Sequence, residues 1–458
     1  MSSGYTAQLA EWISGLEYGR IPAEVVERMK WLTLDSIGCG LFGSTRPWCK
    51  MAAEAICAMD TNPGATVWGS SRTCSSPHAA LVNGTYVQGY ELDDAGMQTH
   101  AGASNVTSAF AVCEERGGVS GKRLLAALVG SYELLFRIGM CFTARGFLYQ
   151  DLGWHQAGLL SPFGAAAAAG SLLRLSSDKL FHAFGLAGNR GIAMEITRIS
   201  AMDKRMMQAR GALNGIHSAL LAERGFTGIE NVLEADGGFC QCFTQSKDRY
   251  SLDELTRELG QKWYSPSTEL KRYCGMLFQH GYYHTAKYIR DKYHPDPAQI
   301  QRIIIPVSKL LDEHTNHSYD RQDSETFAQF CIPFGVAAML VDGDVFVGQY
   351  TPEKLKDPVI TSLAGKAEQR YDPSLENNFS PSPRPCPIII EMLDGGKIEE
   401  TRIYGGKASA MSQEEIVSKF HKLASVVASD ARIERIVQMA GELEKLEDAA
   451  VLARELGF

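Results

Sequence analysis

The stretch from Tyr90 to Ala103 reads YELDDAGMQTHAGA. It places the carboxylates of Glu91, Asp93 and Asp94 within ten residues of one histidine, His100, among small neighbours. A carboxylate beside an imidazole raises the ring's affinity for a proton and makes it a proton carrier near neutral pH. The same composition also suits a solvated loop. Three other places set basic groups beside small or apolar ones: Gly153-Trp154-His155, Asp203-Lys204-Arg205, and Leu270-Lys271-Arg272-Tyr273 followed by Gln279-His280-Gly281. Singly, each has a plain reading: a helix-start histidine, a solvated pair, linker charge. Together, lysines and histidines suit a substrate with several carboxylates.

Other chemistries find little support. His280 and His284 are four apart, but no HExxH pattern surrounds them, and His314 and His317 lie in a polar stretch. The eleven cysteines are scattered, with Cys240 and Cys242 the closest pair and no CxxC, so no metal site is expected. There is no GxSxG elbow, and no GxGxxG or GxxxxGK[ST] loop to cradle a nucleotide. A net charge of −8 argues against nucleic-acid binding. The N-terminus lacks the basic-then-apolar layout of a signal peptide, and no apolar run reaches the roughly 18 residues of a membrane span. Reduced thiols and a cytoplasmic location are expected.

The elements that must position these groups read as follows. Apolar spacing predicts helices over 21–38, 124–138, 162–175, 178–187 and 211–224, and no run of alternating strands in the first 260 residues. After about residue 268 the character changes. A strand is expected at 301–308 and a hairpin at 387–405 around Asp394-Gly395-Gly396, after an extended proline-rich approach over 378–387. Helices are expected at 327–341 and 352–368. Ser412-Gln-Glu-Glu415 is a capping box, and 428–456 is again helical. The architecture is mainly α with α+β: a helical domain from residues 1–267 and 406–458, with an α+β domain inserted over 268–405.

Several motifs, in this order, resemble one family. They are YELDD (90–94) with Thr99-His100 and Gly102-Ala-Ser104, GWHQAGLLSPFGAAAAAG (153–170), Lys204-Arg205 with Asn214-Gly215, LLAERGFTG (220–228) and EADGGF (234–239). The chain resembles the MmgE/PrpD family over about residues 5–455. That family includes 2-methylcitrate dehydratases, cis-aconitate decarboxylases and an iminodisuccinate epimerase. The resemblance implies a helical domain built from both chain ends with an inserted α+β lid, the active site lying between them. It implies a homodimer, no metal or organic cofactor, and a small-molecule carboxylate substrate. Catalytic roles fall on His100, Lys204, His155 and Asp93, and substrate binding on Glu91, Asp94, Lys271, His280 and Tyr319. The implied function is a cofactor-independent lyase, a dehydratase or decarboxylase. The alternatives are an epimerase, or a diverged enzyme of specialised metabolism, for example a cyclase, on a less charged substrate.

Such a lyase builds negative charge at a carbon beside a carboxylate. Cationic Lys and His stabilise that charge, and a histidine or lysine near neutral pKa moves the proton. The chain departs from the family pattern at Ala95, where Thr or an aromatic is common, and at Met207 and Gln208, where a histidine is usual. It departs again at Cys274 and Met276. Each lost hydrogen-bonding group weakens the grip on a carboxylate by about 1–3 kcal/mol.

Overall fold

The computed structural model describes residues 4–60, 62–97, 99–146, 149–197, 202–376 and 383–458. The chain divides into two compact units, Met1–Thr268 with Ser412–Phe458, and Glu269–Met411. The second junction falls after the turn Gly406–Ser409, which stays with the inserted unit, rather than at residue 405.

The first unit is a stack of helices. Gln156–Leu172 carries the Ala-rich run, and Ala165 to Ala169 are fully buried. It packs against Met207–Glu223, since side chains this small let helix backbones approach closely. Pro162 lies inside the former helix. Helix Gly121–Thr143 has the length and hydropathy of a membrane span, contrary to the expectation that no segment reaches it. It is nonetheless a core helix. Its Glu133 and Arg137 are fully buried. Glu133 accepts the N–H groups of Tyr264 (2.8 Å) and Ser265 (2.7 Å). Arg137 donates to the carbonyls of Arg257 (2.8 Å) and Lys262 (2.9 Å). A short antiparallel pair, β1 (Ala65–Thr66) and β2 (Thr73–Cys74), is the one sheet of this unit among the described residues.

The closing segment opens on the expected capping box: the Ser412 hydroxyl accepts the Glu415 N–H while Glu415 accepts the Ser412 N–H. Helix Gln413–Ala424 then lies on helix Ala23–Gly43. Gly38 permits the approach, because a Cβ there would stand 2.9 Å from the Phe420 ring. The run expected as one helix over 428–456 is two, Asp430–Gly441 and Ala450–Arg454.

The second unit is α+β. Its sheet has β3 (Ile300–Val307), β4 (Ala367–Tyr371), β5 (Arg384–Met392) and β6 (Lys397–Tyr404) in the order β4-β3-β5-β6. β5 and β6 form the expected hairpin, with Glu391 opposite Lys397 and Gly395 at φ 88° in the turn. β4 runs parallel to β3. It occupies the end of the 352–368 run, which had read as helix; the helix there is only Pro358–Gly365. The expected helix over 327–341 is likewise split into Glu325–Gln329 and Ile332–Asp342, because Pro333 fits only a fresh first turn. Of the extended approach at 378–387, residues 378–382 lie outside the described residues.

Candidate functional site

The opening stretch is not a solvated loop. Helix Ser76–Val87 runs into the turn Gln88–Tyr90, and the chain then bends through Glu91 at φ 56°, ψ 38°. This left-handed conformation costs a non-glycine residue about 1 kcal/mol or more, so the surroundings must hold it. They do so by charge. The Lys204 ammonium donates to Glu91 Oε1, and Arg205 Nη1 lies 2.6 Å from the same oxygen. Glu91, Lys204 and Arg205 are 3%, 5% and 3% exposed, so the reading of Lys204 and Arg205 as a solvated pair fails.

Two residues on, Asp93 and Asp94 hold one side of the His100 imidazole. His100 Nδ1 lies 2.8 Å from the Asp94 carbonyl oxygen and 3.1 Å from Asp93 Oδ2. Both neighbours are acceptors, so Nδ1 carries a hydrogen and Nε2 is the nitrogen left to exchange a proton. The His100 side chain is 24% exposed while Asp93 is 2% exposed: the ring has access to a ligand, and its carboxylate does not.

Asp94 is turned inward. It accepts the Gly102 N–H at 3.0 and 3.2 Å and the Tyr132 hydroxyl at 2.9 Å. A Cβ at Gly102 would crowd the Ser36 hydroxyl and stand 3.1 Å from Asp94 Oδ1, so glycine lets the N–H approach this carboxylate without displacing either. Burial, joined by the like charge of Asp93, raises the Asp94 pKa to about 6 against the pull of those hydrogen bonds. An ordinary unfolded aspartate titrates near ~3.9. Between those values the folded chain keeps a proton that the unfolded chain has lost, so stability falls as pH rises from about 4 to about 6. The loss amounts to roughly 2–3 kcal/mol. Asp94→Asn is therefore expected to gain stability relative to the parent over that interval, measured by urea unfolding. Parallel pH curves for the two proteins would contradict the assignment.

A buried ion pair, unmarked by any local pattern of residues, supports the loop from beneath. Lys419 Nζ lies 2.7 Å from Asp35 Oδ1 and donates to the Leu92 carbonyl at 2.7 Å. Burial pulls the ammonium's pKa down, and the carboxylates of Asp35 and Asp93 hold it above its ordinary value. The main chain between Glu91 and Asp93 is thus anchored to a helix from the far end of the chain.

The remaining candidates are placed as follows. His155 is the N-cap residue of helix Gln156–Leu172, 9% exposed, and its N–H donates to the Ala193 carbonyl at 3.0 Å. Met207 and Gln208 open helix Met207–Glu223 and are buried, and the Gln208 N–H meets the Gln88 side-chain oxygen at 3.3 Å. These departures from the family pattern therefore sit against the turn that leads into Glu91. Lys271, His280 and Tyr319 belong to the second unit. Lys271 is 1% exposed, not linker charge. His280 is covered by the rings of Tyr273, Tyr283 and Tyr404 at centroid distances of 5.4, 6.2 and 6.2 Å. Tyr319 packs on Phe334 and donates to the Leu355 carbonyl at 2.9 Å. Among the described residues no three His, Cys, Asp or Glu side chains are grouped to hold a metal ion.

One loop thus holds a partly exposed imidazole beside a buried carboxylate and, nearby, a carboxylate clasped by two buried cations. The MmgE/PrpD N-terminal domain matches residues 7–251 and the MmgE/PrpD C-terminal domain residues 273–444. The chain belongs to the MmgE/PrpD family. It is 31% identical to a cis-aconitate decarboxylase-like protein of Aspergillus oryzae, over 98% of this chain and 96% of that one. It is 27% identical to a cis-aconitate decarboxylase of Aspergillus terreus, over 98% and 95%. With the human cis-aconitate decarboxylase the identity is 26%, over 99% and 94%.

Proposed function

We propose that the chain is a lyase that removes CO2 from a small polycarboxylate related to cis-aconitate. The observation that carries this reading is the full-length likeness to proteins named for that reaction. The geometry of the first unit supplies the means. When the C–CO2⁻ bond breaks, its electron pair stays on the neighbouring carbon and is delocalised toward a remaining carboxylate. Lys204 and Arg205 offer the positive field that such charge needs. Protonated His100 delivers its Nε2 proton to that carbon, and Asp93 stabilises the imidazolium beforehand. His155 takes a second acid–base role, and the second unit's Lys271, His280 and Tyr319 bind substrate. The enzyme works without metal or organic cofactor, as a homodimer, in the cytoplasm.

A second reading rests on Ala95, Met207, Gln208 and Met276. With fewer cationic or hydroxyl groups, the chain would prefer a less charged or alkyl-substituted acid over a tricarboxylate. One experiment separates the possibilities. The enzyme is incubated in D2O with cis-aconitate, 2-methylcitrate and alkyl-substituted analogues, and CO2 and products are followed. Release of CO2 with one deuterium placed on the product is expected. Water loss instead identifies a dehydratase, and deuterium exchange without loss of CO2 or water identifies an epimerase.

A further inference from the structure

Apart from the residues given a role above, two thiols of the first unit touch. Cys74 Sγ lies 3.2 Å from Cys57 Sγ, the Cys74 thiol donating. Cys57 is on the last turn of helix Pro47–Met59, half-buried, and Cys74 ends β2 and is fully buried. Two sulfurs in this position need approach by only about 1 Å to reach bonding distance.

The backbone on either side is already tied. Asp60, three residues after Cys57, accepts the Ser75 N–H at 3.0 Å, and Ser75 directly follows Cys74. The Ser75 hydroxyl and His78 Nδ1 also bind Asp60 Oδ2, the latter at 2.7 Å. This clamp ties the end of the helix that carries Cys57 to the residue next to Cys74. Access is also arranged. Cys57 is the half-buried member of the pair and meets solvent, so a small oxidant reaches its sulfur first. Cys74 is screened from direct attack. The pair Cys141 and Cys240, also in contact, differs in that both are buried.

We propose that Cys57 and Cys74 form an oxidative modification site that closes to a disulfide when the protein meets a peroxide. Cys57 gives up its thiol proton and attacks hydrogen peroxide to become a sulfenic acid; the displaced hydroxide takes that proton and leaves as one water. Cys74 then attacks that sulfur, forming the S–S bond and releasing the second water. Two thiols are oxidised, one peroxide is reduced to two waters, and a thiol reductant reverses the change.

The test uses the full-length protein, reduced, desalted and treated with stoichiometric hydrogen peroxide. Free thiols are then alkylated and peptides mapped without reductant. A linked peptide joining Cys57 to Cys74 is expected, lost on treatment with dithiothreitol, with Cys141 and Cys240 alkylated only after unfolding. Cys57 recovered as free thiol or as sulfinic acid, with no linked peptide, overturns the proposal, and so does a bridge from Cys57 to a different cysteine. Cys74→Ser should leave a Cys57 sulfenic acid that dimedone traps. Should that buried substitution prevent folding, half-buried Cys57→Ser serves. Cys74 must then stay reduced under the same peroxide, and its oxidation would contradict the assigned order of events.

Discussion

His100→Ala is expected to lower turnover by about 10²–10⁴-fold, the usual contribution of a positioned acid–base group. The size follows from the ring's setting. Two acceptors occupy Nδ1, so proton exchange falls to Nε2 alone, and alanine offers no replacement. The fold should tolerate the change, since the side chain is 24% exposed and the loop keeps its anchors at Glu91, Leu92 and Asp94. Asp93→Asn should fall between the variant and the parent: the ring keeps its Asp94 carbonyl partner but loses the carboxylate charge 3.1 Å away. The measurement is kcat at saturating substrate, with folding checked by tryptophan fluorescence. All six tryptophans, Trp12, Trp31, Trp48, Trp68, Trp154 and Trp263, lie in the first unit, so the signal reports on the unit that holds His100. Full turnover by the alanine variant would remove His100 from the chemistry.

What the sequence made legible was local. The 90–103 stretch announced itself because carboxylates and a histidine lie within one loop, and the capping box at Ser412 because its two partners are three residues apart. The burial of Lys204 and Arg205 could not be read, since the deciding partner, Glu91, is 113 residues from Lys204. Asp35 on an otherwise apolar-patterned helix, and Lys419 on an amphipathic one, carry no local mark. They are legible only once helix Gln413–Ala424 is laid on Ala23–Gly43. The length of helix Gly121–Thr143 was missed because Glu133 and Arg137 interrupt its apolar run. Their backbone partners lie in the segment from Arg257 to Ser265, more than 100 residues on. Residues 367–371 failed for another reason. A short run after a helix becomes strand only when an open edge is beside it, and β3 supplies that edge from 60 residues away or more.

Glu91→Ala should destabilise the first unit by about 3–5 kcal/mol, the range for removing one partner of a buried ion pair. Two effects bear on the result and oppose each other. Alanine relieves little of the backbone cost, because it resists the left-handed φ of 56° much as glutamate does. Meanwhile Lys204 and Arg205, 5% and 3% exposed, lose the carboxylate oxygen they share, and two like charges remain beneath a low-dielectric surface. The electrostatic loss dominates. Glu91→Gln should cost less, since an amide oxygen still accepts from both cations. Glu91→Gly should recover about 1 kcal/mol relative to alanine, because glycine adopts positive φ freely. Urea unfolding followed by tryptophan fluorescence gives the three values on one scale. The order Gln, Gly, Ala from least to most destabilised separates the charge contribution from the backbone contribution. If alanine costs less than about 1 kcal/mol, the two cations are not held by this carboxylate, and the clasp assigned to Glu91 falls with it.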